Sequence, residues 1–175
     1  MAVSITLNLG YVDGNSEIDT SKVQGKAGAP INVLSWSWGL TQTGSAQLGG
    51  GAGSGTANVG ELTITKYVDK TSPLLVNDSF KGINHGGAIL TCWMASGDEQ
   101  IPYIQFRMGD VEGCDKSKGV VLISSVQTGA QGDLDQFVET VSLNFNQFEP
   151  VFILQKTDTT ANPKVSYGSL VIAKK

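Results

Sequence analysis

The stretch Ile31 to Gly39, Ile-Asn-Val-Leu-Ser-Trp-Ser-Trp-Gly, constrains the fold more than any other. Side chains of a strand alternate faces with period two, so Leu34, Trp36 and Trp38 are predicted to share one side. Val33, Ser35 and Ser37 then share the other. Two of the chain's three tryptophans fall on one face of one short strand. Burying each ring removes ~150–250 Å² from water, an upper bound of roughly 4–6 kcal/mol apiece at about 25 cal/mol/Å². Leu34, Trp36 and Trp38 are therefore predicted core residues. The small hydroxylated face opposite them needs a separate explanation.

The flanking sequence supplies more strands. Val3 to Leu9 alternates, with Val3, Ile5, Leu7 and Leu9 on one face. Val12 to Pro30 is polar and reads as a loop. Thr41 to Asn58 is rich in Gly and Ser, long for a connection without structure of its own, and its glycines rule out a helix. Val59 to Val68 returns to a strand with Leu62, Ile64 and Val68 on one side and Thr63, Thr65 and Tyr67 on the other. The two strands around the Gly-rich tract are read as a long arm, a hairpin with a protruding tip.

One helix is predicted, about 72–82. Ser72 is a favoured N-cap, Pro73 suits the first turn, and Gly82 suits the stop. Leu75, Val76, Phe80 and Ile83 would form its apolar stripe. Strands resume at Ala88–Ala95, Ile101–Met108, Val120–Thr128, Val138–Phe148 and Val151–Gln155, with Tyr167–Ala173 closing the chain. In the fourth of these Phe137, Val141, Leu143 and Phe145 share a face, and Leu143 and Phe145 join the predicted core. Asp110–Gly119 and Thr157–Lys164 read as polar connections. Many strands and a single helix predict a mainly β fold, an antiparallel barrel or sandwich with one short flanking α-helix, in one domain spanning 1–175.

Composition narrows the function. Charged residues make up 16% of the chain, against about 25% in an average soluble protein. Such a neutral surface is expected either on a subunit covered by partners, copies of itself included, or on a polar, uncharged monomer. The net charge of −4 and the lack of a Lys/Arg run exclude binding by phosphate neutralisation, so no nucleic-acid partner is expected. Two cysteines, Cys92 and Cys114, form neither a disulfide framework nor a zinc knuckle and fit a chain folded in the cytosol. The N-terminus has no signal-peptide pattern, and no stretch reaches the length of a membrane span.

Catalytic patterns fail one by one. The Gly tract 49–55 lacks the Gly-Lys-Ser/Thr of a phosphate loop. His85 is the only histidine, no Gly-x-Ser-x-Gly elbow accompanies it, and it reads as a turn residue that cannot supply a zinc site. Asp13, Glu17, Asp98, Glu99, Asp110, Glu112, Asp133 and Asp135 read as solvated turn acids. Asn77-Asp78-Ser79 matches a glycosylation sequon but falls in the helix. Trp93 reads as a buried core residue rather than a stacking platform. No enzymatic activity, cofactor or metal is expected.

Five stretches carry a resemblance: Val33-Leu34-Ser35-Trp36-Ser37-Trp38-Gly39, Thr65-Lys66-Tyr67-Val68-Asp69-Lys70-Thr71-Ser72-Pro73, Ser124-Ser125-Val126 with Gly129, Glu139-Thr140-Val141-Ser142-Leu143-Asn144-Phe145, and the Gly-rich tract between the first two. In this order the chain resembles the haemolysin-coregulated protein (Hcp) family, tube subunits of bacterial type VI secretion. The resemblance implies a small barrel or sandwich whose six copies close into a ring. Rings stack into a hollow, phage-tail-like tube, surrounded by a sheath, tipped by a spike, and ejected with effectors. It implies a protein folded in the cytoplasm and then secreted without a cleaved leader. Arg107–Val120, with Cys114, departs from the family pattern, as does Ala130-Gln131 where Gly-rich residues are usual.

Joined to that resemblance, the hydroxyl face gains a role. Ser35, Ser37 and the turn Gly129, Ala130, Gln131 and Gly132 are expected to face the lumen and its effectors. Gln42, Leu48, Gly49, Gly50, Gly51, Gly53 and Gly55 are expected to contact neighbouring subunits or rings. The competing readings are a monomeric lectin-like sandwich, an enzyme with a site built from scattered carboxylates, and, last on charge, a nucleic-acid-binding barrel.

Overall fold

The structure is a computed structural model and describes residues 4–10, 30–42, 57–96, 99–109, 119–129, 136–153, 164–166 and 170–171. β1 (Ser4–Leu9) places Ile5, Leu7 and Leu9 against the core as its alternation requires, while Val3 lies outside the described residues. The double-tryptophan stretch is two strands rather than one. β2 (Ile31–Val33) pairs with β1, whereas β3 (Ser35–Ser37) pairs with β6 (Leu62–Tyr67) in a different sheet. Leu34 is the corner between them, and its N–H donates to the Thr65 carbonyl at 2.7 Å. Crossing from one layer to the next at a bend is how strands close such sandwiches. The bend resets the alternation: Ile31 and Val33 point inward, and so do Trp36 and Trp38, but Leu34 between them is 45% exposed. Leu34 is thus not a core residue.

The two tryptophans pack against the core without occupying its centre. The Trp36 ring lies 4.6 Å from Phe106 and that of Trp38 stacks at 4.4 Å on Phe148, each spanning the two layers. Both remain partly exposed, so the full burial estimated from sequence is not reached. The centre is built by aliphatic and aromatic side chains of both sheets, among them Leu62, Ile64, Leu90, Met108, Leu143 and Phe148.

After β4 (Leu40–Gln42), β5 (Ala57–Val59) and β6 comes α1 (Ser72–Lys81), followed by β7 (Ala88–Ser96), β8 (Glu99–Met108), β9 (Val121–Gly129), β10 (Val138–Phe145) and β11 (Gln147–Ile153). The predicted strand Val138–Phe148 breaks at Asn146, a second corner, where the chain leaves the layer of β10 for that of β11. Phe145 and Phe148 stack across this bend at 5.2 Å. In place of one closing strand, β12 (Lys164–Ser166) and β13 (Leu170–Val171) both pair with β11.

Every ladder is antiparallel. A seven-stranded sheet in the order β12-β11-β8-β7-β1-β2, with β13 also on β11, faces a four-stranded sheet in the order β3-β6-β10-β9. The predicted arm has its base in the two-stranded ribbon β4-β5. At its root the Gly60 N–H donates to the Gly39 carbonyl at 2.9 Å, and a Cβ at residue 60 would lie 2.8 Å from that oxygen. Only glycine permits this approach.

The helix departs from its predicted stripe. Thr71, not Ser72, holds the cap position, and Gly82 closes the helix in the left-handed conformation at φ 61°. Ser72, Leu75 and Asp78 face the protein, whereas Val76 is exposed and Phe80 is 91% exposed. Val68 and Phe137, each predicted to share a face with apolar neighbours, are exposed near one another, where Val68 N–H donates to the Phe137 carbonyl at one end of the small sheet.

Candidate functional site: a hydroxyl face and the buried ion pair behind it

The outer face of the small sheet is set by register. Ser37 pairs with Thr63, Thr63 with Ser142, and Ser142 with Ser125, giving one row across four strands. Ser35, Thr65, Thr140 and Gln127 form the next row. Each strand turns its apolar alternates to the core, so these small polar residues are left outward by period-two geometry. Neighbours within a row interact directly: Thr63 Oγ1 and Ser142 Oγ lie 3.1 Å apart. Ser35 and Ser37 are exposed, as the sequence predicted of a hydroxylated face.

A third row carries the only charge on this face among the described residues. Glu61, just before β6, accepts a hydrogen bond from Ser124 Oγ at 2.7 Å and another from Asn144 Nδ2 at 3.0 Å. Ser124 reaches it because β9 and β10 shift register at Ser142/Leu143: Ser142 pairs with Ser125 and Leu143 with Ile123, leaving Ser124 as the extra residue of a bulge.

Behind the face lies a feature that strand alternation alone did not reveal. The inward side of β6 is Leu62, Ile64 and then Lys66, and the Lys66 and Glu139 side chains are both 0% exposed. Lys66 Nζ donates to Glu139 Oε1 at 2.8 Å, to Asp69 Oδ1 at 3.0 Å and to the Tyr67 carbonyl at 2.8 Å. Ser72 Oγ, at the start of α1, donates to the same Glu139 oxygen at 2.7 Å. Burial pushes the Asp69 carboxyl up, but hydrogen bonds from Thr71 and Lys66 outweigh it and hold the group below 3.8. The network binds β6, β10 and the helix start into one unit. Lys66, Asp69 and Ser72 come from one of the stretches that carry the family resemblance and Glu139 from another, so the motif has a physical cause. The signal was a lysine in an inward slot of an apolar alternation.

Other single residues fall into place. His85 follows the helix; its carbonyl accepts the local Gly87 N–H, its own N–H donates to the Val121 carbonyl at 2.9 Å, and its side chain is buried. Nε2 sits 3.8 Å from Asp78 Oδ2, too far for a hydrogen bond. Burial depresses the His85 pKa below 6.5, against the opposing pull of the Asp78 charge. Trp93 is half-buried outside the main core, and its Nε1 donates to Thr6 Oγ1 at 2.8 Å. Cys92 is buried, and burial pushes its thiol up. Asn77-Asp78-Ser79 lies within α1. No group of His, Cys, Asp and Glu able to hold a metal occurs among the described residues.

Of the predicted contact residues, Gly129 ends β9 opposite Val138, and Gln42 ends β4 opposite Ala57, both exposed. Ala130, Gln131 and Gly132 lie outside the described residues, as do Leu48, Gly49, Gly50, Gly51, Gly53, Gly55 and Cys114. Of the eight acids read as turn residues only Glu99 is described, at the start of β8. No helix among the described residues is long and apolar enough to cross a membrane.

Residues 7–152 match the family described as Type VI secretion system effector, Hcp. The chain is 37% identical over 169 residues to Protein hcp1 of Pseudomonas aeruginosa, covering 96% of this chain and 94% of that protein. A solved type six secretion system protein superposes with a TM-score of 0.70 at 25% identity, covering 96% of this chain and 93% of its own. Hcp1 from Salmonella typhimurium shares the fold with a TM-score of 0.65 at 22% identity, covering 98% and 96%. With the family matched over residues 7–152 and a relative 37% identical over nearly all of both chains, this chain belongs to the Hcp family and is a structural subunit of the type VI secretion tube.

Proposed function

We propose that six copies of this chain close into a ring with the outer face of the small sheet lining the lumen, and that such rings stack into the secreted tube. The observation that carries this reading is the double row of neutral hydroxyl and amide side chains from Ser35 and Ser37 to Ser125 and Gln127. A wall of this kind stays wetted and holds passengers by many weak hydrogen bonds without a fixed charge pattern. Two further features support it. Among the described residues β3 and β9 end the small sheet without a further partner strand, and an uncharged edge as long as β9 needs covering. Tyr67, Val68 and Phe137 expose apolar surface at one end of that sheet, consistent with contact between copies.

In this reading Ser35, Ser37 and Gly129–Gly132 meet effectors in the lumen. Gln42 and the tract Leu48–Gly55 touch neighbouring subunits or rings. Sheath and tip proteins meet the assembled tube, and the subunit folds in the cytoplasm before export. The chain's work is that of shape rather than reaction.

Native mass spectrometry and negative-stain imaging of the purified chain test this. Annular particles of six copies are expected. Ser37→Glu is expected to keep the ring and change effector retention, because it plants a charge in the middle of the hydroxyl row. A chain that stays single at high concentration, or a ring lost on Ser37→Glu, would overturn the lumen placement.

A further inference from the structure

We propose that Glu61 is a fixed anionic contact on the lining, placed to receive a cationic side chain of the passenger, an arginine before a lysine; this rests on the lumen reading above. A surface carboxylate ordinarily swings free in water. This one is held from two strands: Ser124 Oγ takes one oxygen at 2.7 Å and Asn144 Nδ2 takes the other at 3.0 Å. Ser124 Oγ also lies 3.1 Å from the Ser142 carbonyl, but a hydroxyl has one proton, and the shorter, charge-assisted bond to Glu61 is the stronger claim on it. The bulge that frees Ser124 breaks an otherwise regular ladder to bring the hydroxyl there.

Both donors are neutral, so they orient the carboxylate without cancelling its charge. Among the described residues no cation pairs with Glu61, and the nearest lysine in sequence, Lys66, points into the core and is bound to Glu139. Each carboxylate oxygen can accept more than one hydrogen bond, so each keeps acceptor capacity after its bond to the sheet. A rigid pair of acceptors matches the parallel donors of a guanidinium better than the single point charge of an ammonium. A purely structural staple between three strands would need the hydrogen bonds but not the charge.

The probe is a labelled peptide carrying three arginines in a Gly-Ser background, compared with a twin in which citrulline replaces each arginine. Both are titrated against the full-length chain by fluorescence anisotropy. One exposed ion pair changes affinity by about 1.5- to 5-fold, and the effect fades with salt. The arginine peptide is therefore expected to bind about 1.5- to 5-fold more tightly than its twin in low salt. Glu61→Gln keeps the side chain's shape and should erase the difference. Glu99→Gln, which removes the same charge from the large sheet, should preserve it. Equal binding of the two peptides to the native chain would overturn the inference. So would a preference unchanged in Glu61→Gln, even if that variant melts at a lower temperature, because the role would then be structural. Ring formation is scored separately. If rings form and the preference is absent, this inference alone fails; if the chain stays single yet the preference depends on Glu61, the lumen reading fails and the contact stands.

Discussion

Lys66 and Glu139 show what a single residue can fix and why sequence alone underrates it. Alternation puts Leu62 and Ile64 on one side of β6, the side the structure buries, and the next slot on that side holds a lysine. Asp69, three residues on, is a local partner but is partly exposed, and nothing local points to the buried one, because Glu139 lies 73 residues away. Taking two charges out of water costs several kcal/mol per ion, which the attraction recovers only with good geometry and further hydrogen bonds. Here the second Glu139 oxygen, Oε2, is buried and has no hydrogen-bond partner among the described residues. The pair is therefore better understood as fixing one arrangement of β6, β10 and α1 than as a net source of stability. Glu139→Ala strands Lys66 in the interior with Asp69 as its remaining carboxylate and is expected to lose about 3–5 kcal/mol. Lys66→Met with Glu139→Leu should recover most of that loss. Urea unfolding of the three proteins measures both. A loss below about 1 kcal/mol for Glu139→Ala would mean that water reaches the pair.

At the scale of the element, the sequence reported period but not corners. β1 follows its alternation because it is a straight strand whose Ile5, Leu7 and Leu9 all meet the core. Leu34 does not, since the bend beside it moves the chain between sheets and shifts the inward set by one residue. Phe148 belongs to the next layer for the same reason. Pro73 and Gly82 locate the helix, yet of its predicted stripe Leu75 is buried while Val76 and Phe80 are exposed. Leu75, Val76 and Phe80 all fit a helical apolar face by spacing, but the polar Ser72 and Asp78 share the buried side with Leu75, because Glu139 draws Ser72 inward. This separates two residues that the sequence treats alike. Leu75→Ala should cost about 2–5 kcal/mol, as a buried leucine does. Phe80→Ala should stay within about 0.5 kcal/mol apart from helix propensity. Thermal and urea melts of the purified variants decide this; a Phe80→Ala as damaging as Leu75→Ala would mean that this ring is packed in solution, against the protein itself or another copy.

For the molecule as a whole, the low proportion of charged residues, 16%, acquires a location. The outer face of the small sheet is neutral but for Glu61, and the β4-β5 ribbon presents Leu40, Thr41, Gln42, Ala57 and Asn58 exposed. A two-stranded ribbon on its own is marginally stable in water. This one is closed at its root by the bond from Gly60 N–H to the Gly39 carbonyl, and of its residues only Val59 packs against the core. Such an element adds little to the stability of one subunit, which fits the contact outside the subunit proposed for it. The Gly-rich tract is recognisable from sequence as a feature needing an external reason, whereas a partner surface on another copy, as proposed above, would leave no trace in one chain's pattern. Removing Gly49–Gly55 is therefore expected to leave the core intact, with a melting temperature within a few degrees of the parent's. Stacking should be lost: negative-stain fields that show tubes for the parent should show separate rings for the deletion. Tubes of unchanged length would remove the tract from the contact between rings, and a collapse in melting temperature would place it inside the fold of the single subunit.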